Sequence, residues 1–268
     1  MTIQVHNDVW YRSANLEIRD QCNTGIVALD SSAAIIDYPG QSPDEELIDE
    51  AELITGKPVK YILLTHAHCD HVTGFRTLKR KDITVVARKS ALENMKLEGY
   101  PVPGAPIEIT GDADLELDGF DFRLEVPPSV THSPWDMLIG LPKYELVFTG
   151  DLVVRPKYMF FHSSYLQGWR EMIALLMDRR WRYLAMGHGA VQPLEWLEEV
   201  ERYLALLAEA KDILADKPAY LDEREVLINP PALPPELVSV MAELVSITDV
   251  KNAIRQVLQL DLRTREGF

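Results

Sequence analysis

The chain has 268 residues, of which 47% are hydrophobic and 26% charged, and a formal net charge of −15. That length allows one large domain, or one domain with an appendage, around a sizeable core. The acidic balance argues against nonspecific nucleic-acid or anionic-membrane binding, and the two cysteines, Cys22 and Cys69, exclude a disulfide framework.

Residues 8–37 read as short strands. Gly25–Asp30 and Ala33–Asp37 are apolar runs joined by Asp30-Ser31-Ser32, a hairpin whose second strand is expected to be buried on both faces. Ser42 as N-cap, with Pro43 and Glu45 behind it, predicts a helix to about Thr55, closed by Gly56 and Pro58. Val59–Leu64 predicts a strand that delivers Thr65-His66-Ala67-His68-Cys69-Asp70-His71 at its C-terminal end, the place where sites form in layered α/β folds. A helix over Phe75–Arg80, a strand over Ile83–Ala87 and a helix over Ser90–Glu98 are expected next, followed by a loop rich in proline and glycine from Gly99 to Gly111.

Asp118-Gly119 between the alternating runs Leu115–Leu117 and Phe120–Val126 predicts a hairpin. Strands are expected at Met137–Leu141 and Glu145–Thr149, turning at Pro142-Lys143. The apolar spacing of Leu166, Trp169, Ile173 and Leu176 predicts a helix over Tyr165–Arg179. Tyr183–Met186 reads as a strand and Pro193–Ala215 as a long amphipathic helix. Residues 229–235 form a proline-rich connector, and two amphipathic helices follow at about 236–245 and 249–259. This pattern divides the chain into a main domain over 1–218 and a helical extension over 219–268. The first residues carry no basic region followed by an apolar run, and no apolar run is long enough to span a bilayer, so the expected compartment is the cytoplasm.

Three histidines and an aspartate within six positions are rarely a packing solution, and their density suggests ligands for two metals. Cys69, lying between them, reads as a small residue filling space under the loop. Three more landmarks sit at strand ends: His132 in Val130-Thr131-His132-Ser133-Pro134, Asp151 after Phe148-Thr149-Gly150, and His188 in Met186-Gly187-His188-Gly189.

Taken in this order, the set resembles the metallo-β-lactamase superfamily: an HxHxDH motif, a later histidine, an aspartate after a TGD-like strand end and a final GH. The resemblance covers about residues 7–190 and implies a four-layered αββα sandwich with the metal site at one edge, here carrying a C-terminal helical appendage. It places His66, His68 and His132 on one metal, and Asp70, His71 and His188 on the second, with Asp151 bridging. The implied cofactors are two divalent ions, zinc first, with iron or manganese as alternatives. The implied nucleophile is a hydroxide bridging the two ions, and Asp70 is the candidate to orient it or to accept its proton.

The departures from the family pattern narrow the reading. β-Lactamases of this family place a cysteine where Asp151 stands. Flavodiiron relatives carry a glutamate where this chain has His68, and single-iron persulfide oxidisers lack second-site ligands that are all present here. Trp135 replaces the glycine of the GHTPG pattern found in many hydrolytic relatives. Lactonases with this layout have a tyrosine three residues after the bridging aspartate, where this chain has Val154.

The favoured function is hydrolysis of a small-molecule ester, lactone or thioester. The alternatives are hydrolytic displacement on an activated aromatic ring, phosphodiester hydrolysis, iron-dependent redox chemistry and a purely structural metal site. Trp135, Tyr158, Phe161 and His162 are the candidate substrate contacts, and the apolar run around them favours a compact apolar or aromatic substrate. The expected partner is that substrate, without nucleic acid or membrane; a homo-oligomer stays open.

Overall fold

Alternation along the buried strands builds two sheets, each with a face for the other sheet and a face for helices. The computed structural model describes residues 1–14, 21–40, 46–156, 159, 161, 163–215, 217, 234–247 and 256. The first sheet holds seven strands in sequence order: β1 (Thr2–His6), β2 (Val9–Arg12), β3 (Thr24–Ala28), β4 (Ala33–Ile36), β5 (Val59–Leu63), β6 (Thr84–Arg88) and β7 (Ile107–Ile109). β1 to β4 pair antiparallel and β4 to β7 parallel. The second sheet holds β8 (Ala113–Leu117), β9 (Phe120–Glu125), β10 (Leu138–Leu141), β11 (Leu146–Gly150), β12 (Tyr183–Met186) and β13 (Gln192–Pro193), also side by side in sequence order.

β4 shows how the layers arise. Ala33 and Ile35 pack with Leu47, Ile48 and Ala51 of α1 (Glu46–Thr55), and with Ala91 and Met95 of α3 (Lys89–Leu97). Ala34 and Ile36 turn the other way and pack with Phe122, Leu124, Ile139 and Phe148 of the second sheet. β11 repeats the scheme, with Leu146 and Phe148 towards the first sheet and Val147 towards the outer helices. Those helices are α4 (Leu166–Met177), α5 (Leu197–Ala215) and α6 (Pro235–Ile247), built around Trp169, Ile173, Tyr203, Leu207 and Leu244. The layers are therefore helix, sheet, sheet, helix: the αββα sandwich that the sequence resembles, with C-terminal helix packed on it.

Asp118 and Gly119 both have positive φ, 46° and 74°, as a two-residue hairpin turn requires. The buried two-faced β4, the turn after β10 and the strand at 183–186 stand where the sequence predicts them.

Several elements differ from the sequence expectation. Phe75–Arg80 is not a helix. Instead α2 (Cys69–Val72) runs into a 3-10 turn over Thr73–Arg76. Gly74 sits so close under Tyr38 and Pro39 that a Cβ there would collide with both, and its N–H is bonded to Tyr38 O at 3.0 Å. Phe75 is then driven into the core, and the chain leaves helical geometry. The loop from Gly99 to Gly111 contains the edge strand β7, and β13 with a 3-10 turn precedes α5, which starts at Leu197 rather than Pro193. On α6 the buried stripe is Leu237, Val240, Met241 and Leu244, while Val238 is exposed. The cap at Ser42 and the second C-terminal helix at about 249–259 fall outside the described residues, Gln256 excepted. Among the described residues no helix is long and apolar enough to cross a membrane.

Candidate metal centre

The C-terminal ends of β5, β11 and β12 open on one edge of the sandwich, together with the loop between β9 and β10. His66 and His68 lie just beyond β5, Asp70 and His71 on α2, His132 in the β9–β10 loop, Asp151 one residue past β11 and His188 two past β12. The crossing of chains there is close. A Cβ on Gly150, whose φ is 52°, would strike Thr65 and His66, and one on Gly187 would strike Asp151. Glycine at these positions lets the two sheets bring their strand ends together.

The seven side chains fall into two groups. In each, the ligand-type atoms lie within 4.8 Å of one another: His66, His68 and His132 in the first, and Asp70, His71, Asp151 and His188 in the second. His132 Nε2 is 2.9 Å from His68 Nδ1. In the second group His188 Nε2 lies 2.9 Å from Asp70 Oδ2 and 3.3 Å from Asp151 Oδ2. Asp151 Oδ1 is 3.3 Å from His71 Nε2, and Asp151 Oδ2 reaches to within 3.9 Å of His132 Nε2. One carboxylate thus faces both groups.

Burial separates the two groups electrostatically. It pushes the His66 imidazole well below its ordinary pKa and takes His68 and His132 down to about 4, so these rings stay neutral with lone pairs to offer. In the second group burial also opposes charge, but carboxylates outweigh it: Asp151 above all lifts His188 to about 10. The carboxylates of Asp37, Asp70 and Asp151 together lift His71. Burial would raise Asp151, yet His188 and His71 hold it well below the usual carboxylate range.

This donor set fits divalent cations. His66 Nε2, His71 Nε2 and Asp151 Oδ1 are buried polar atoms with no hydrogen-bond partner among the described residues. Buried nitrogen and oxygen donors in that condition are costly unless something cationic accepts their lone pairs. Imidazole and carboxylate at this spacing suit zinc, iron or manganese.

Supporting residues are visible only in three dimensions. Asp37, buried at φ 62°, accepts from Thr65 N at 2.8 Å and from Thr65 Oγ1 at 2.7 Å, and lies 2.9 Å from His71 Nδ1. Cys22 is buried beside His71, and burial pushes its thiol up to about 12. Ser163 Oγ lies 3.0 Å from His68 Nε2. Tyr11 Oη and Asn23 Nδ2 each lie within hydrogen-bond distance, 2.7–2.9 Å, of the backbone carbonyls of Met186 and Gly189 on either side of His188. Asp136 accepts from Thr131 Oγ1, Ser133 N and Ser133 Oγ and so ties down the loop that carries His132.

Of the candidate substrate contacts, Trp135 is half-buried and meets the His68 ring edge-on at 5.5 Å. Phe161 is buried against Trp169 at 5.3 Å, and Trp169 in turn meets His132 at 5.4 Å. Tyr158 and His162 lie outside the described residues. Cys69 is exposed rather than tucked under its loop.

Comparison with known proteins bears on the fold and the family. The chain is 25% identical over 155 residues to a metallo-beta-lactamase type 2 of Bacillus cereus, covering 55% of this chain and 58% of that one. It is 29% identical over 130 residues to a hydroxyacylglutathione hydrolase of Brucella anthropi, covering 48% of this chain and 46% of that one. It therefore spans about half the length of these curated relatives. A solved metallo-beta-lactamase from Pontibacter korlensis shares the fold at a TM-score of 0.68 and 20% identity, over 76% of this chain and 98% of that one. The family model described as the metallo-beta-lactamase superfamily matches residues 18–188, a span that runs from just before β3 to His188, and the chain belongs to that superfamily.

Proposed function

We propose that this chain is a dinuclear metal-dependent hydrolase acting on a small molecule at an electrophilic carbonyl carbon, with an ester, lactone or thioester as the substrate class. The observation that carries the reading is Asp151, whose oxygens lie 3.3 Å from His71 and from His188 and 3.9 Å from His132. In this reading His66, His68 and His132 hold one cation, Asp70, His71 and His188 hold the other, and Asp151 serves both. Zinc is the first choice, with iron or manganese accepting the same donors. Two such cations supply Lewis acidity and a water that ionises near neutral pH.

The chain's own residues then orient and shield. Asp70 is the catalytic candidate: its Oδ2 lies 2.9 Å from His188 Nε2, and its side chain is 21% exposed, so it can pass a proton towards solvent. Trp135 gives the first histidine group an apolar wall, and Phe161 backs Trp169 on the far side of His132. Tyr158 and His162 complete the proposed substrate contacts. Apolar walls with few polar groups are what a small-molecule site needs.

Two features favour a carbonyl substrate other than a β-lactam. Asp151 stands where β-lactamases resembling this chain place a cysteine. One relative bears the name hydroxyacylglutathione hydrolase, which gives an acylglutathione as its substrate. The test is elemental analysis of reconstituted protein together with a panel of aryl and alkyl esters, lactones, thioesters and phosphodiesters. About two ions per chain and turnover of the carbonyl compounds are expected. A clear preference for phosphodiesters would overturn the substrate class, and no more than one ion would overturn the dinuclear site.

A further inference from the structure

The described residues between Asp151 and Tyr165 are fastened at several points beside the metal centre. Leu152 O accepts from the Trp169 indole at 2.7 Å, and Tyr165 N donates to Thr131 O at 2.9 Å. Between them, Ser163 Oγ lies 3.0 Å from His68 Nε2 and donates to His132 O at 3.4 Å. A further fastening comes from outside the family-matched region. Gln256 is wholly buried; its side-chain amide donates to Pro156 O at 2.5 Å and to Met159 O at 3.1 Å, while its carbonyl accepts from the Tyr203 hydroxyl of α5. Met159 N also donates to Pro156 O at 3.2 Å, so the amide of Gln256 holds two residues that are already joined to each other.

We propose that Gln256 is a positioning residue for the metal centre: it ties Pro156 to Met159, and through that anchorage it sets Ser163 against His68. The chemistry of each link supports this. A glutamine amide offers two N–H donors and one carbonyl, and all are used here. The serine hydroxyl at Nε2 of His68 leaves Nδ1 as the nitrogen turned towards His132. Partners of this kind fix the tautomer and the ring orientation of a metal-ligating histidine. The extension beyond the family-matched residues would then belong to the working site instead of being an ornament on it. The inference rests on the proposed metal site.

The test uses the full chain, loaded with Co²⁺ and titrated with a competing chelator, as wild type, Gln256→Ala, Ser163→Ala, Ser163→Thr and the double alanine variant. Gln256→Ala and Ser163→Ala should each weaken the same one of two cation-binding steps by about 10–100-fold, the usual cost of losing such a partner. Both should alter the visible Co²⁺ spectrum, Ser163→Thr should restore it, and the double variant should lose less than the sum of its parts. Wild-type affinity and spectrum in Gln256→Ala would overturn the inference. A wild-type chain that takes up no cation would instead overturn the metal-site reading beneath it. Should Gln256→Ala unfold before it can be titrated, Tyr203→Phe, which takes away the hydroxyl orienting the amide, is read by the same two criteria.

Discussion

His71 Nδ1 lies 2.9 Å from a carboxylate oxygen of Asp37, and this contact turns Nε2 of the same ring towards Asp151. A carboxylate there can only accept, so Nδ1 carries a proton, and Nε2 is the nitrogen that a cation would take. Asp37 also holds Thr65, the residue before His66, by backbone and side chain. Replacing Asp37 by Asn keeps a residue that tolerates φ 62° but puts an amide in the carboxylate's place. Asp37→Asn is expected to lower the affinity of the second cation site by about 10–100-fold, checked by zinc competition with a chromophoric chelator. Unchanged affinity would mean that His71 is oriented by its packing alone.

Asp151→Ala removes a carboxylate that faces both ligand groups. Activity on whichever carbonyl substrate the panel identifies should fall by more than about 100-fold, beyond the range for outer partners. Circular dichroism should stay as in wild type, because Leu146, Val147 and Phe148 of β11 pack independently of it. Turnover near the wild-type rate would remove Asp151 from the proposed mechanism.

Cation binding should also show in stability. A ligand present at about 1,000 times its dissociation constant stabilises the folded chain by ~4 kcal/mol when it binds the folded state alone. Chelated protein is therefore expected to melt well below the zinc-loaded form, with full recovery on returning the metal. Identical melting curves would show that the buried donors hold no ion in solution.

Leu244 on α6 is fully buried within the same core as Tyr203 and Leu207. Leu244→Ala should cost about 2–5 kcal/mol in a denaturant titration. Ending the chain after Lys217 should cause aggregation or change the oligomeric state, as seen by light scattering, since α5 would lose the cover on its apolar face. A monodisperse, fully active truncate would contradict both this packing argument and the role given to Gln256.

Trp135→Ala is expected to raise KM by on the order of tenfold, equivalent to ~1.4 kcal/mol of binding, with metal content unchanged. A fall in kcat at constant KM would move Trp135 from substrate contact to support of His68.

The legibility of this chain follows the range of the interactions involved. The histidine cluster, Asp151 and His188 stand out because each follows an apolar run directly, and the hairpin at Asp118-Gly119 because its turn chemistry is local. Asp37 looks like an ordinary strand-ending aspartate, and only the parallel pairing of β4 with β5 brings it to His71. Ser163 and Gln256 are further removed, since their partners lie 95 and about 100 residues away. β7 and β13 escape notice because they are three and two residues long, and edge pairing rather than periodicity defines them. The missed 3-10 turn after α2 has a similar origin: Gly74 is committed to Tyr38, a contact with no local signature.

The origin of the candidate ligands has one more consequence. His66, His68, Asp70 and His71 hang from the first sheet, whereas His132, Asp151 and His188 hang from the second. Each ligand group draws on both, so bound cations would act as rivets across the seam between the sheets. The filling of that seam, where Phe148 abuts Gly25 and Ile36, then becomes a spacer that gauges the gap between the two halves of the centre. Trimming Phe148 to a smaller side chain touches no candidate ligand, yet it would let the halves shear and change the spacing of the two ligand groups from within the core.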